Sequence, residues 1–217
     1  MINWSDIETV LLDMDGTLLD LRFDNHFWQR VVPDYFANKE GISFDEAIKQ
    51  LEPLFKAQEG LLNWYCLDYW SEALGIDIVK LKVETQEHIK ELPHTRDFLG
   101  AIKASGKRCV LVTNAHAESL NLKMQKTGLV EFFDAIVSAH DFGYPKEQQS
   151  FWHAFHQLEQ FDKSKTVMVD DSLSVLKAAD TFGIQYIVAI TKPDSAEPPR
   201  IVHDYLAVES LGAIQPK

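Results

Sequence analysis

Residues 9–20 read Thr-Val-Leu-Leu-Asp-Met-Asp-Gly-Thr-Leu-Leu-Asp, and this stretch narrows the choice of fold more than any other. An apolar run with β preference, Thr9 to Leu12, leads straight into two carboxylates, Asp13 and Asp15, then a glycine and a hydroxyl. A run that is apolar on both faces suits the middle of a parallel sheet covered by helices on either side. The acids then fall at the carboxyl end of a strand, where open α/β sheets place their ligands. Asp13 and Asp15, two residues apart, can point to one side of the backbone and share a metal ion or divide nucleophile and acid work. Gly16 lets the chain turn sharply and offer N–H groups to an anion.

The remainder supplies the other parts of such a sheet. From about His94, helical and apolar-strand patterns alternate. A helix through Phe98 and Ile102 stops at Gly106, and Arg108 to Val112 reads as a strand ending in Thr113 and Asn114. A helix closed by Gly128 precedes a strand at Ala135 to Ser138, with Lys146 in a loop soon after. A helix from Glu147 to Glu159 leads to a strand at Thr166 to Val169 that ends in Asp170 and Asp171. A helix capped by Gly183 and a last strand from Tyr186 to Ile190 complete the series. Pro193 to Pro199 reads as a loop and the last twenty or so residues as weakly patterned.

Between Leu21 and Leu92 there is almost no strand signal. Four helices are expected: Asp24 to about Pro33; Ser43 to Phe55, with Pro53 a kink or stop; Leu61 to Leu74, closed by Gly75; and Asp77 to just before Pro93. Ser43 and Glu46 have capping-box spacing. The expected fold class is therefore α/β, a Rossmann-like parallel sheet formed by residues 1–20 and 93–217, with residues 21–92 inserted as an α-helical domain.

A formal net charge of −12 argues against partners such as nucleic acid polymers or an anionic membrane surface, but not against a small anion held by a local cation. Cys66 and Cys109 are the only cysteines, too few for a disulfide framework or a zinc cluster. With neither a signal-peptide layout nor a membrane-length apolar run, a soluble, cytoplasmic protein is expected.

Three strands thus end in polar residues that converge in space: Asp13 and Asp15, Thr113 and Asn114, Asp170 and Asp171. Four gathered carboxylates would raise one another's pKa unless a cation neutralised them, and hard oxygen donors without histidine or cysteine favour Mg²⁺. Lys146 adds a charge and Thr113 a hydroxyl for a phosphoryl group, with backbone amides near Asp15 and Gly16 as further donors. These parts suit phosphoryl transfer.

In order and strand-end position, D-x-D-G-T at Asp13 to Thr17, Thr113, Lys146 and the pair Asp170-Asp171 resemble the four motifs of the haloacid dehalogenase superfamily. A helical insertion directly after the first motif resembles the first type of cap domain in that superfamily. The resemblance implies an aspartyl-phosphate on Asp13, with Asp15 as general acid and then base. It implies that Thr113, Asn114, Gly16 and Lys146 surround the phosphoryl group. It also implies Mg²⁺ held by Asp13, the Asp15 carbonyl and Asp171, with Asp170 acting directly or through a metal-bound water. Many members carry an acid four or five residues past the first acid of the last motif; here Ser174 and Val175 stand there, so the adjacent pair must serve.

W-Y-C-L-D-Y-W-S-E at Trp64 to Glu72, T-N-A-H at Thr113 to His116 and F-G-Y-P-K-E at Phe142 to Glu147 resemble bacterial nucleotidases of that superfamily. This implies 5′-dephosphorylation of purine mononucleotides such as GMP and IMP. Phe23, Asp24, Asn25 and His26, where the chain enters the insertion, and Trp64 and Tyr69 within it, are the candidate substrate contacts. Core packing is the competing role for the aromatic group, Tyr65 and Tyr69 being one helical turn apart. Rival functions are a sugar-phosphate or phosphoglycolate-type phosphatase, a dehalogenase, which would not need Asp15, and a phospho-aspartate signalling module, which the insertion and Asp15 argue against.

Overall fold

The computed structural model describes residues 2–216. Six strands form one parallel sheet: β1 Thr9–Leu12, β2 Arg108–Thr113, β3 Ala135–Ser138, β4 Thr166–Asp170, β5 Tyr186–Ile190 and β6 Leu206–Val208, in the order β3-β2-β1-β4-β5-β6. The chain builds outward from β1 to one side and then returns to β1's other edge to build away from it. The direction in which successive strands are added therefore reverses between β1 and β4, which puts a crevice at their carboxyl ends.

Alternate residues of each strand feed opposite faces, as extended chain requires. Val10, Leu12, Leu111, Val167 and Val169 pack with Phe98, Leu99 and Ile102 of α6 (Thr95–Ala104) and with Leu120 and Met124 of α7 (Ala117–Thr127). Leu11, Val110, Val112 and Met168 pack on the other face with Phe151, Trp152 and Phe155 of α8 (Gln149–Leu158) and with Val175, Leu176 and Phe182 of α9 (Leu173–Phe182).

The segment between β1 and α6 is helical, with α1 Arg22–His26, α2 Val32–Glu40, α3 Phe44–Gln58, α4 Leu67–Leu74 and α5 Ile78–Glu84. It has its own apolar cluster, which includes Phe27, Leu51, Leu67, Trp70, Leu74 and Ile78. Its entry and exit lie side by side: the Asp20 N–H donates to Lys90 O at 2.8 Å and the Leu92 N–H to Leu18 O at 2.9 Å. No helix among the described residues is long and apolar enough to cross a membrane.

The boundaries depart from expectation where proline and cysteine are involved. The first helix does not stop near Pro33. A π-helical turn, Phe27–Val31, joins α1 to α2, so Pro33 becomes an early residue of α2, where it needs no N–H donor. Pro53 neither stops nor ends α3; it faces solvent, where water can take the carbonyl it leaves free. The expected Leu61–Leu74 helix is broken at Cys66, whose extended backbone caps α4 while its Sγ accepts the Tyr69 N–H at 3.5 Å. The weakly patterned tail contains the edge strand β6, paired with β5.

Candidate active site

β1, β2 and β4 deliver Asp13, Thr113, Asn114, Asp170 and Asp171 to one cavity of about 420 Å³, and the loop before α8 delivers Lys146. Lys146 is fully buried. Its Nζ donates to Asp13 Oδ1 at 2.5 Å, to Asp170 Oδ2 at 2.8 Å and to Val112 O at 2.9 Å. Asp170 Oδ1 accepts the Ser172 N–H at 2.8 Å, so both its oxygens are engaged. Oxygens of Asp13, Asp170 and Asp171 lie within 4.8 Å of one another. Arg200 reaches Asp171 from the rim, donating to its carbonyl at 2.8 Å and to Oδ2 at 3.3 Å.

Crowded carboxylates in a dry site hold protons more tightly. Burial pushes Asp13 up to about 7, with Lys146 opposing and Asp170 adding to the rise. Burial and the Asp13 charge push Asp171 up to about 7 against Arg200. Burial raises Asp170 to about 6, with Lys146 pulling it down and Asp171 pushing it up. Burial disfavours the Lys146 charge, yet Asp13 and Asp170 outweigh it and keep the ammonium protonated. Three carboxylates against the Lys146 ammonium and the Arg200 guanidinium at the rim still leave a local deficit of positive charge. An all-oxygen donor set of this kind fits a hard divalent cation.

Gly16 has a backbone that only glycine readily adopts, with φ +91°, and a Cβ there would meet Asp171 Cγ at 2.7 Å. Its N–H, expected among the phosphate donors, instead donates to Leu19 O at 2.7 Å, so Gly16 acts here by admitting the Asp171 side chain. Asn114 is likewise committed at both ends: Oδ1 accepts the Lys146 N–H at 2.8 Å and Nδ2 donates to Glu147 Oε2 at 3.0 Å. It tethers the lysine loop. Thr113 Oγ1 accepts the Ala115 N–H at 3.0 Å, which leaves its own proton to donate.

Of the candidate substrate contacts, Asp24, Asn25 and Trp64 line the cavity. Phe23 is buried in the core beneath it. His26 lies over a separate hollow, edge-on to His88, and Tyr69 packs edge-on against Trp70. These three do not reach the cavity, because the helix faces that carry them turn toward packing partners. His116 does line it, and also caps α7, its Nδ1 accepting the Glu118 N–H at 3.4 Å.

Four further residues stand at the site. Tyr65 donates from its hydroxyl to Glu147 Oε1 at 2.8 Å, joining the helical segment to the lysine loop, and Trp28 forms part of the cavity roof. Lys123 of α7 donates to Asp15 Oδ1 at 2.7 Å and Asp24 Oδ2 at 2.6 Å, and Lys82 of α5 to Asp24 Oδ1 at 2.7 Å. Burial disfavours the Asp24 charge, but Lys123 and Lys82 together hold its carboxyl well below the usual range. The sequence did carry a signal for both lysines. Each sits on the apolar face of an amphipathic helix, Lys82 beside Ile78 and Leu81, Lys123 beside Leu120 and Met124.

Acids at two strand ends, a threonine and an asparagine at a third, a lysine between them and a helical roof define a family. The chain belongs to the haloacid dehalogenase-like hydrolases, whose model matches residues 7–183. It is 47% identical over 194 residues to the GMP/IMP nucleotidase YrfG of Escherichia coli (strain K12), covering 89% of this chain and 87% of that protein. It is 26% identical over 175 residues to the pyrimidine 5′-nucleotidase YjjG of the same organism, covering 75% of this chain and 76% of that one. Among solved structures, the HAD phosphatase from Thermococcus onnurineus superposes with a TM-score of 0.80 at 23% identity, with 96% of each chain covered.

Proposed function

We propose that this chain is a phosphomonoesterase acting on purine 5′-mononucleotides, with GMP and IMP foremost, by way of a phosphoryl group carried on Asp13. The observation that carries this is the convergence of Asp13, Lys146, Asp170 and Asp171 at the reversal point of the sheet, under a roof that includes Trp28, Phe55 and Trp64. The identity to the GMP/IMP nucleotidase supports the choice of base.

Asp13 Oδ1 is bound to Lys146, and Oδ2 has no protein donor among the described residues. That free oxygen attacks phosphorus; the bond from phosphorus to the 5′ oxygen breaks, and Asp15 gives the leaving oxygen its proton. Asp15, now ionised, takes a proton from water as the water oxygen attacks the same phosphorus. The bond from Asp13 to phosphorus then breaks, and phosphate departs. Lys146 stabilises charge on the transferring oxygens while holding Asp13 in line. Thr113 donates its free proton to one phosphoryl oxygen.

Mg²⁺ fits this donor set: Asp13 and Asp171 would hold it, with the Asp15 carbonyl as the further oxygen that the family resemblance implies. Asp170, with both oxygens engaged, stands behind these ligands and steadies Lys146. When bound, the ion neutralises the crowded carboxylates and the phosphoryl oxygens. Residues 21–92 act as a cap domain that shuts bulk water out during transfer and opens to release product. Both cysteines are unpaired, which suits a reducing, cytoplasmic setting.

Phosphate release across a panel of nucleotides and sugar phosphates tests the reading. GMP and IMP should show the highest kcat/KM, and chelation of divalent metal should abolish it. A sugar phosphate that surpasses both nucleotides defeats the nucleotidase assignment while leaving the phosphatase in place.

A further inference from the structure

Asp15, Lys123, Asp24 and Lys82 form a continuous chain of charge-assisted hydrogen bonds across the cavity wall, with steps of 2.7, 2.6 and 2.7 Å. Asp15 and Lys123 belong to the sheet and its helices; Asp24 and Lys82 belong to α1 and α5 of the inserted segment. Both lysine side chains are almost wholly buried, at 2% exposure for Lys123 and 3% for Lys82. Two carboxylates and two ammoniums balance, so the group needs no counter-ion. Apolar residues of similar volume generally hold such positions at least as well, because burying charge is costly even when it is paired. Stability alone therefore gives a poor account of this cluster.

The arrangement around Asp15 gives a better one. Lys123 is the only side chain among the described residues that bonds the Asp15 carboxylate; it takes Oδ1, Oδ2 has no protein donor among the described residues, and Asp15 lines the cavity. Lys123 is in turn held by Asp24, and Asp24 by Lys82. We propose that Lys123 is the positioning residue for Asp15, and that Asp24, backed by Lys82, holds Lys123 in place only when the inserted helices are docked. Docking of the helices over substrate and readiness of the acid/base group are then one event. A carboxylate whose rotamer is fixed transfers its proton along a defined line; one left to rotate does so rarely.

This inference rests on the phosphatase reading, and the two fail in different ways. The probe is p-nitrophenyl phosphate, whose leaving group departs without a proton, so that only the second half-reaction needs Asp15. In Lys123→Met the first turnover should persist while steady turnover falls about 100-fold, giving a burst of p-nitrophenolate and phosphorylated protein on acid quench. With GMP, whose leaving oxygen needs the proton, the first turnover should slow as well, with KM little changed. Asp24→Asn should shift the ratio of first to steady turnover in the same direction by less, and Lys123→Arg should restore part of it. An unchanged ratio in Lys123→Met overturns the inference even if overall activity drops. If that variant does not fold, the ratio in Asp24→Asn decides in the same way. Failure of the wild-type protein to form phosphorylated Asp13 from any monoester would instead overturn the phosphatase reading.

Discussion

Replacing Lys146 with methionine keeps most of the buried stem and removes the ammonium that touches both Asp13 and Asp170. Two buried carboxylates then lose their partner. Left ionised and unpaired, they would destabilise the fold by about 3–5 kcal/mol. Proton uptake is the easier route, since burial already holds Asp13 near 7 and Asp170 near 6 with the lysine in place. The sign follows from linkage. Above pH 7 the variant's folded state keeps a proton that the unfolded chain has released, so its stability falls by about 1.4 kcal/mol per pH unit for each such carboxylate. In the metal-free wild type Asp170 is largely ionised in both states at pH 7, and Asp13 sheds the rest of its proton just above it, so the curve slopes only slightly and flattens by about pH 8. The gap between the two proteins should therefore widen by about 2 kcal/mol per protonated carboxylate between pH 7 and 8.5. Urea unfolding of the metal-stripped proteins at the two pH values reads it. A gap of equal size at both would refute the idea that Lys146 compensates buried negative charge. Phosphoryl transfer in the same variant should drop by about 10²–10³-fold, as on removal of a transition-state donor.

Gly16→Ala forces a side chain into a left-handed conformation and against Asp171, so about 1–3 kcal/mol of stability and most Mg²⁺ affinity should be lost; titration calorimetry showing wild-type affinity would contradict the close-approach argument. Trp64→Ala removes an aromatic wall of the cavity, and KM for GMP should rise about tenfold with kcat little changed, which steady-state kinetics resolves. For the metal-stripped wild type, raised pKa values at Asp13, Asp170 and Asp171 mean that the folded state binds protons first as pH falls from about 7 toward about 4. Stability contributed by these groups should rise across that window and flatten when Mg²⁺ is in excess; a fall in the same window, followed by thermal melting, would reverse the sign assigned to them.

Much of this was legible in the sequence because burial on both faces leaves an unbroken apolar run. Val10 and Leu12 serve one side of the sheet, Leu11 the other, and the run from Thr9 to Leu12 announces both. Polar residues at the ends of such runs mark the site without further information, which is why Asp13, Thr113, Asp170 and Asp171 were found together. β6 escaped notice because an edge strand of three residues, pairing along one side only, needs little apolar pattern. Pro33 misled because a π turn ahead of it lets the helix continue, a device with no simple composition signal. Tyr69 and His26 show the limit for substrate contacts: which face of a short helix meets a cavity is set by packing with the other helices, here the apolar cluster that includes Phe27 and Leu51 for Tyr69 and the His88 ring for His26. Gly16 and Asn114 show that a residue's type reveals its capacity to bond, while the partner it takes is decided by the fold.

The central claim is that Asp13 carries the phosphoryl group. Acid quench of the protein within one turnover of GMP, followed by mass spectrometry of its peptides, tests it most directly. One phosphoryl group on the peptide carrying Asp13, absent from Asp13→Asn and, with p-nitrophenyl phosphate as the donor, accumulating in Asp15→Asn, is the predicted result. Turnover of GMP with no phosphorylated Asp13 at any quench time would contradict it.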